Sequence, residues 1–408
     1  DYSEEEALSS YDAQVNKGKE LYPASKEISV ADIEKPNVIV IMSEAFYDVN
    51  RFEGVLSYDK DPMQYFYEIE GITGNTMTNI YGGSTHYSEF EFLTGWNSKS
   101  MNSGSCPYKE DFDEHQPSLV RYLKDLGYYS IAIHPYDGRF WKRYIAYPYM
   151  GFDKFVDRSQ MTYTEMCGYI SDESLTNEII YQYEKKESSN KPFFCFGVSI
   201  ANHIAIINGD QKENMSTAID VTYEKEIPGY SDAKKERVNQ YISGIYETGK
   251  ALKQLTDYFE TKEEPTVIVF FGDHAPNYAI DILNAGKKDK DLAYSTPYLI
   301  WSNYDMTKTV ESSYFEDGMD LNVSYLSTYM LDKLQMPLPT QGYYNVALQA
   351  DYPVETRYII CNEFGRQYNS FSKKEKSEYF NHALDLKKQI QAIVEEPKMA
   401  SDIWDYPY

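Results

Sequence analysis

Short, unbroken apolar runs that lead into ionisable residues recur along this chain, and they restrict its fold more than any other feature. Val38 to Met42 leads into Ser43 and Glu44. Tyr128 to Ile133 leads into His134, and Phe193 to Ile200 is closed by Asn202 and His203. Thr266 to Phe271 leads into Gly272, Asp273 and His274, and Thr296 to Trp301 is one more such run. Strands buried on both faces read as continuous apolar stretches, so the pattern predicts an α/β protein with buried parallel strands. In open α/β sheets ligands gather at the carboxyl ends of the strands. Glu44 is therefore placed to hold a metal, with capping of a following helix as its alternative role. Adjacent Asp273 and His274 offer oxygen and nitrogen donors to one divalent cation. For His203, a lone histidine after a strand, a structural role is the simpler expectation.

One loop supplies what those strand ends lack. Gly82 and Gly83 precede Ser84, Thr85 and His86, and an apolar helix start follows from Tyr87 to Gly95. Adjacent glycines permit backbone conformations closed to other residues. Ser84 or Ser88 is suited to cap the helix, and Glu89 or Glu91 to its first turn. A hydroxyl presented there has helix N–H groups beside it, a setting for phosphate. Neutral Thr is a poor nucleophile, and a cation held by Glu44, Asp273 and His274 would lower the pKa of the Thr85 hydroxyl. The loop from Pro135 to Arg143 mixes aromatic rings with cations, which suits an anionic group on a hydroxylated body. His134, Arg143 and His203 are then candidates to stabilise charge on a phosphoryl or sulfuryl group.

Composition narrows the partners. The net charge of -25, from 64 acidic and 39 basic residues, repels nucleic acid and anionic lipid, so a nucleic-acid role is excluded. The 41 tyrosines suit stacking on carbohydrate as well as core packing. Cys106, Cys167, Cys195 and Cys361 form no CxxC, which argues against a structural zinc. No stretch has the apolar length of a transmembrane helix, and no signal peptide is visible.

Taken together, these residues resemble the extracellular catalytic domain of the lipoteichoic acid synthase family, in the alkaline phosphatase and sulfatase superfamily. The resemblance runs from about Pro36 to about Tyr344. It rests on Asn37 to Glu44, Ser84 to Phe90, Phe140 to Arg143 with Gly151 to Phe155, Asn202 with His203, and Gly272 to His274. It implies an α/β sandwich with a mostly parallel central sheet and a smaller C-terminal subdomain. It implies that Glu44, Thr85, Asp273 and His274 bind one divalent cation, Mn²⁺ first and Mg²⁺ as the alternative, with Thr85 as nucleophile. It also implies that Trp141, Arg143 and His203 hold the glycerol phosphate, with His134 nearby. The donor would be phosphatidylglycerol and the acceptor a teichoic acid chain or a cell-surface polysaccharide. Family members carry N-terminal transmembrane helices, absent here, which implies a domain at the outer face of a bacterial membrane or released from it.

The chain departs from the synthases at Ser84, His86, Tyr87 and Tyr136, where Lys, small or acidic, and acidic residues are usual. A relative that decorates a polysaccharide therefore fits as well as a polymerising one. Competing readings are a sulfatase or phosphodiesterase, a phosphoethanolamine transferase, and an inactive glycan-binding surface domain. The C/S-x-P-x-R setting that sulfatases need for cofactor maturation does not occur. The expected organisation is a linker or wrapping arm over 1–34, a catalytic domain over 35–344, and a helical extension over 345–408.

Overall fold

The computed structural model describes residues 3–22, 35–101, 104, 106–110, 116–186, 190–203, 216–307 and 311–394. Its centre is an eight-stranded sheet. In chain order the strands are β1 (Asn37–Ser43), β2 (Ile72–Met77), β3 (Tyr129–His134), β4 (Lys154–Asp157), β5 (Phe193–Val198), β6 (Thr266–Gly272), β7 (Ser295–Ser302) and β8 (Leu321–Asn322). Across the sheet they lie in the order β8-β2-β7-β6-β1-β5-β3-β4. From β6 to β4 every pair is parallel. β7 runs antiparallel to both its neighbours. This is the mixed α/β sandwich expected from the apolar runs. The apolar runs do not mark β2, β4 or β8. β2 carries Thr73, Gly74, Asn75 and Thr76, too polar to stand out as a buried run. β8 is two residues that lead straight into the helix Val323–Lys333, where the sequence predicts helix from Leu321.

Alternation along β1 divides the core into two layers. Val38, Val40 and Met42 enter one cluster, and Ile39 and Ile41 the other. The first layer holds α2 (His86–Thr94), α3 (Leu119–Asp125), α4 (Arg143–Met150) and α7 (Val323–Lys333). The second holds α5 (Asp172–Lys185) and α6 (Asp232–Glu260). The apolar spacing predicts a helix over Asn239 to Phe259; α6 starts about two turns earlier, because Ser231 caps it by accepting from the Lys234 N–H.

The segment expected as a linker or wrapping arm is helical over Glu4–Leu21, here α1. It rests on α8 (Thr340–Asp351) and α9 (Lys373–Ile393), so position 345 lies inside a helix. The Tyr11 ring stacks on Tyr344, with centroids 4.7 Å apart, and its hydroxyl donates to Gln341 at 3.1 Å. The missed helix signal is a capping box: Ser3 accepts from the Glu6 N–H, and Glu6 accepts from the Ser3 N–H. α9 is tied in by the buried Glu355 carboxylate, which accepts from Tyr379 at 2.9 Å and faces His382 at 3.1 Å.

Gly18 sits where α1 meets α8, and a Cβ there would overlap the Tyr343 carbonyl. Gly18→Ala should therefore lift α1 from the domain. The expected result is a lower melting temperature and faster proteolysis within residues 4–21. An unchanged melting curve would show that α1 does not depend on this close contact.

Candidate active site and metal centre

The register of β1 against β6 builds the site. Ser43 lies opposite Gly272 at the ends of the two parallel strands, so Glu44 and Asp273 emerge side by side. The Asp273 N–H donates to the Ser43 carbonyl at 3.2 Å, which holds the two ends together. Gly272 is required because a Cβ there would overlap the Phe46 carbonyl. Glu44, Asp273 and His274 each offer one ligand atom, all within 4.8 Å of one another, and all three residues are buried.

The remaining atoms of these residues are already engaged. Asp273 Oδ1 accepts from the N–H groups of Ala45 at 2.7 Å and His274 at 2.8 Å. The Glu44 N–H donates to Ser199 Oγ at 3.0 Å. His274 Nδ1 lies 2.9 Å from the Ala275 carbonyl, which can only accept. That bond directs Nε2 into the cluster. Asp273 Oδ2 and His274 Nε2 are buried with no hydrogen-bond partner. Two buried carboxylates, one of them with an orphaned oxygen, are costly without a positive charge between them. This donor set fits a divalent cation.

Proton affinities reflect the same crowding. Burial pushes Asp273 up to about 7, against the charge of His274. Burial would lower His274, but the charges of Asp273 and of Glu44, whose Oε1 lies 3.5 Å from Nε2, raise it to about 9. Burial raises Glu44 as well, yet its close contact with the His274 charge outweighs that and leaves it below the ordinary range.

Thr85 joins this cluster. It is the N-cap of α2 but makes no side-chain capping bond. Its hydroxyl donates to Glu44 Oε2 at 3.1 Å instead. The preceding loop is strained, with Gly82 at φ 67° and Ser84 at φ 73°, a left-handed conformation uncommon for serine. Neither Ser84 nor Ser88 is the cap. The Ser88 hydroxyl donates to the Asp273 carbonyl at 2.9 Å and ties α2 to the end of β6.

The other expected residues are held by partners of their own. His134 ends β3, and its Nδ1 faces the Val198 carbonyl at 3.0 Å. Its Nε2 is buried without a partner. Burial holds this imidazole well below its ordinary pKa, helped by the nearby Arg143 and His203 charges. His203 is half-buried and pairs its Nδ1 with the Tyr169 hydroxyl at 3.2 Å. Trp141 lies against His86, with centroids 3.9 Å apart. Arg143 begins α4 and is buried. Its Nε bonds both Glu89 oxygens at 3.1 Å, and its Nη2 reaches the same carboxylate. Nη1 is buried with no partner.

Glu89 is the residue whose role the sequence concealed. It was expected as a first-turn acid of the helix, and it does lie there. Its carboxylate is nonetheless the counter-ion of Arg143 and also accepts from Tyr147 at 2.7 Å. Burial would lower the Arg143 pKa, but the Glu89 charge raises it above its ordinary value.

The Sulfatase family model matches residues 36–322, which is most of the chain, and the chain belongs to that family. A putative cyclic beta-1,2-glucan modification protein from Rhizobium meliloti is 31% identical over 355 residues, covering 84% of this chain and 52% of that protein. The chain spans about half the length of the first curated relatives it matches. Among solved structures, the Streptococcus pyogenes phosphoglycerol transferase GacH, in complex with sn-glycerol-1-phosphate, superposes with a TM-score of 0.68 at 20% identity. That match covers 99% of this chain and 97% of the other. The lipoteichoic acid synthase LtaP from Listeria monocytogenes superposes with a TM-score of 0.59 at 17% identity, covering 96% of this chain and 99% of the other. The fold is thus that of the alkaline phosphatase and sulfatase superfamily. Among the described residues no helix is long and apolar enough to cross a membrane.

Two outcomes follow from this geometry. Cation binding must displace protons from Asp273 and His274, so affinity for Mn²⁺ measured by calorimetry should rise from about pH 6 to about pH 9. A flat profile would remove these two residues from the ligand set. Glu89→Ala leaves Arg143 buried and unpaired, which should cost about 3–5 kcal/mol in urea unfolding. A loss under about 1 kcal/mol would mean that water or another acid replaces Glu89.

Proposed function

We propose that this domain is a phosphoglycerol transferase that moves glycerol phosphate from phosphatidylglycerol to a cell-surface glycan through an ester on Thr85. One observation carries the reading. The Thr85 hydroxyl is uncommitted to helix capping and lies 3.1 Å from Glu44, in a buried cluster with Asp273 and His274. A solved relative of the same fold is described as a phosphoglycerol transferase, which supports the choice of group. The relative described as a glucan modification protein supports a glycan acceptor over a teichoic acid chain.

A divalent cation held by Glu44, Asp273 and His274, Mn²⁺ or Mg²⁺, supplies positive charge that favours ionisation of the Thr85 hydroxyl. The protein's own groups do the rest. Thr85 Oγ1 forms a bond to phosphorus while the bond to the diacylglycerol oxygen breaks, and diacylglycerol leaves with a proton. An acceptor hydroxyl then forms its own bond to phosphorus, the Thr85 ester breaks, and the Thr85 oxygen regains a proton. Arg143 is held rigid by Glu89, which leaves Nη1 to meet a non-bridging phosphoryl oxygen. His134 presents Nε2 as a neutral imidazole, and Trp141 and His203 bound the head group. Such a domain works at the outer face of a bacterial membrane, where both substrates are found.

The test is mass spectrometry after incubation with phosphatidylglycerol, with phosphatidylethanolamine offered in parallel. The wild-type peptide containing Thr85 should gain one glycerophosphoryl group. Thr85→Ala should keep the cation, because three ligands remain, and lose turnover by about 10³-fold or more. Transfer by Thr85→Ala at near wild-type rate would overturn the two-step reading. A gain of mass only from phosphatidylethanolamine would overturn the choice of donor.

A further inference from the structure

The head-group residues form the inner part of a longer feature. A continuous file of six rings starts beside the proposed nucleophile and ends at His203. His86, next to Thr85, lies 3.9 Å from Trp141, and Trp141 lies 5.2 Å from Phe140. Phe140 is 5.7 Å from Tyr136, Tyr136 is 6.5 Å from Tyr169, and Tyr169 is 5.4 Å from His203. Exposure rises along the file: His86 is buried, Trp141 is half-buried, and Phe140 is 44% exposed. Tyr136 and Tyr169 are half-buried.

The exposure of Phe140 is maintained against two costs. A large apolar side chain is left facing water, and the two residues after it, Trp141 and Lys142, hold φ of 56° and 54°. The loop is braced at its start, where the Phe140 N–H donates to the Asp137 carbonyl at 2.9 Å and Arg139 pairs with the Asp137 carboxylate. Folding alone does not require an exposed ring on a strained, braced loop beside a reactive site.

We propose that Tyr136, Phe140 and Tyr169 form the acceptor subsite, a platform on which a chain of hexopyranose units stacks with one hydroxyl directed toward Thr85. The proposal rests on the glycan-acceptor reading above. A pyranose has an apolar C–H face and a polar rim. Aromatic rings match the face, and phenol hydroxyls and a guanidinium match the rim. Arg158 supplies that guanidinium, 5.6 Å from the Tyr136 ring. The net charge of -25 makes the surface as a whole a poor one for anionic lipid or for a polyanionic teichoic acid.

The test is calorimetric binding of a short β-linked gluco-oligosaccharide to the whole chain, with a glycerol phosphate polymer and anionic vesicles as parallel probes. Circular dichroism confirms that each variant is folded. Phe140→Ala and Tyr136→Ala should each weaken saccharide binding about three- to tenfold, whereas Phe140→Trp should retain it. Wild-type protein that does not bind the saccharide would overturn the platform. So would Phe140→Ala that binds as wild type, or ring-dependent binding of the polymer or vesicles in place of the sugar. Acquisition of mass at Thr85 from phosphatidylglycerol, measured in the same preparation without saccharide, separates the two readings. Ring-dependent sugar binding with no mass gain rejects the transferase and keeps the platform. Mass gain with ring-independent binding does the reverse.

Discussion

Everything at the centre of this protein depends on the parallel pairing of β1 with β6. Pairing residue for residue from Asn37 with Thr266 to Ser43 with Gly272 sets two carboxylates next to each other where the sheet ends. A slip of one residue in either strand would reverse its inward and outward sides and separate Glu44 from Asp273. Register is secured by burial on both faces, since Val38, Val40 and Met42 serve one core layer and Ile39 and Ile41 the other. The cost of bringing two acids and an imidazole together is thus carried by two apolar layers. The cluster can stay rigid while its own charges repel.

A second constraint acts from the first core layer. Glu89 lies one turn into α2, the helix that begins at Thr85, and its carboxylate clamps Arg143 at the start of α4. One helix therefore carries Thr85 at its start and holds the Arg143 guanidinium one turn on. Full burial of an Arg–Glu pair contributes little to stability beyond what apolar residues of the same size would give. Its value here is geometric, because a bidentate pair restrains the planar fork and commits two of its three nitrogens. The strained loop before Thr85 and the strained turn at Trp141 lie on either side of this clamp. Backbone strain on both sides indicates a site shaped for a ligand more than for stability.

Much of this was legible in the chain before any coordinates. The continuous apolar runs marked β1, β3, β5, β6 and β7, because strands covered on both faces leave no alternation to blur the signal. Asp273 and His274 stood out because two ionisable groups directly after a buried strand have little structural use, and Glu44 because it ends a buried strand, with helix capping as its alternative role. The polar strand β2 did not stand out. Nor did α1, whose stripe of Ala7, Leu8, Tyr11 and Val15 is thin within a polar stretch and whose helical start is set by the Ser3–Glu6 box.

Fold class, family resemblance and the types of group available to the site follow from local pattern and from motifs a few residues long, and so are written in the chain itself. How those groups are used depends on contacts between distant segments. Arg143 and Glu89 are separated by more than fifty residues in the chain, and nothing local says that a first-turn acid will leave the helix end to hold a distant guanidinium. Tyr136, Phe140, Trp141, Tyr169 and His203 lie on three separate segments, and their file of rings exists only once β3 and β5 sit side by side. Periodicity and motif report the contacts a chain makes with its near neighbours and with water. Long-range pairings depend on sheet order and register, which the side chains of one segment do not encode alone.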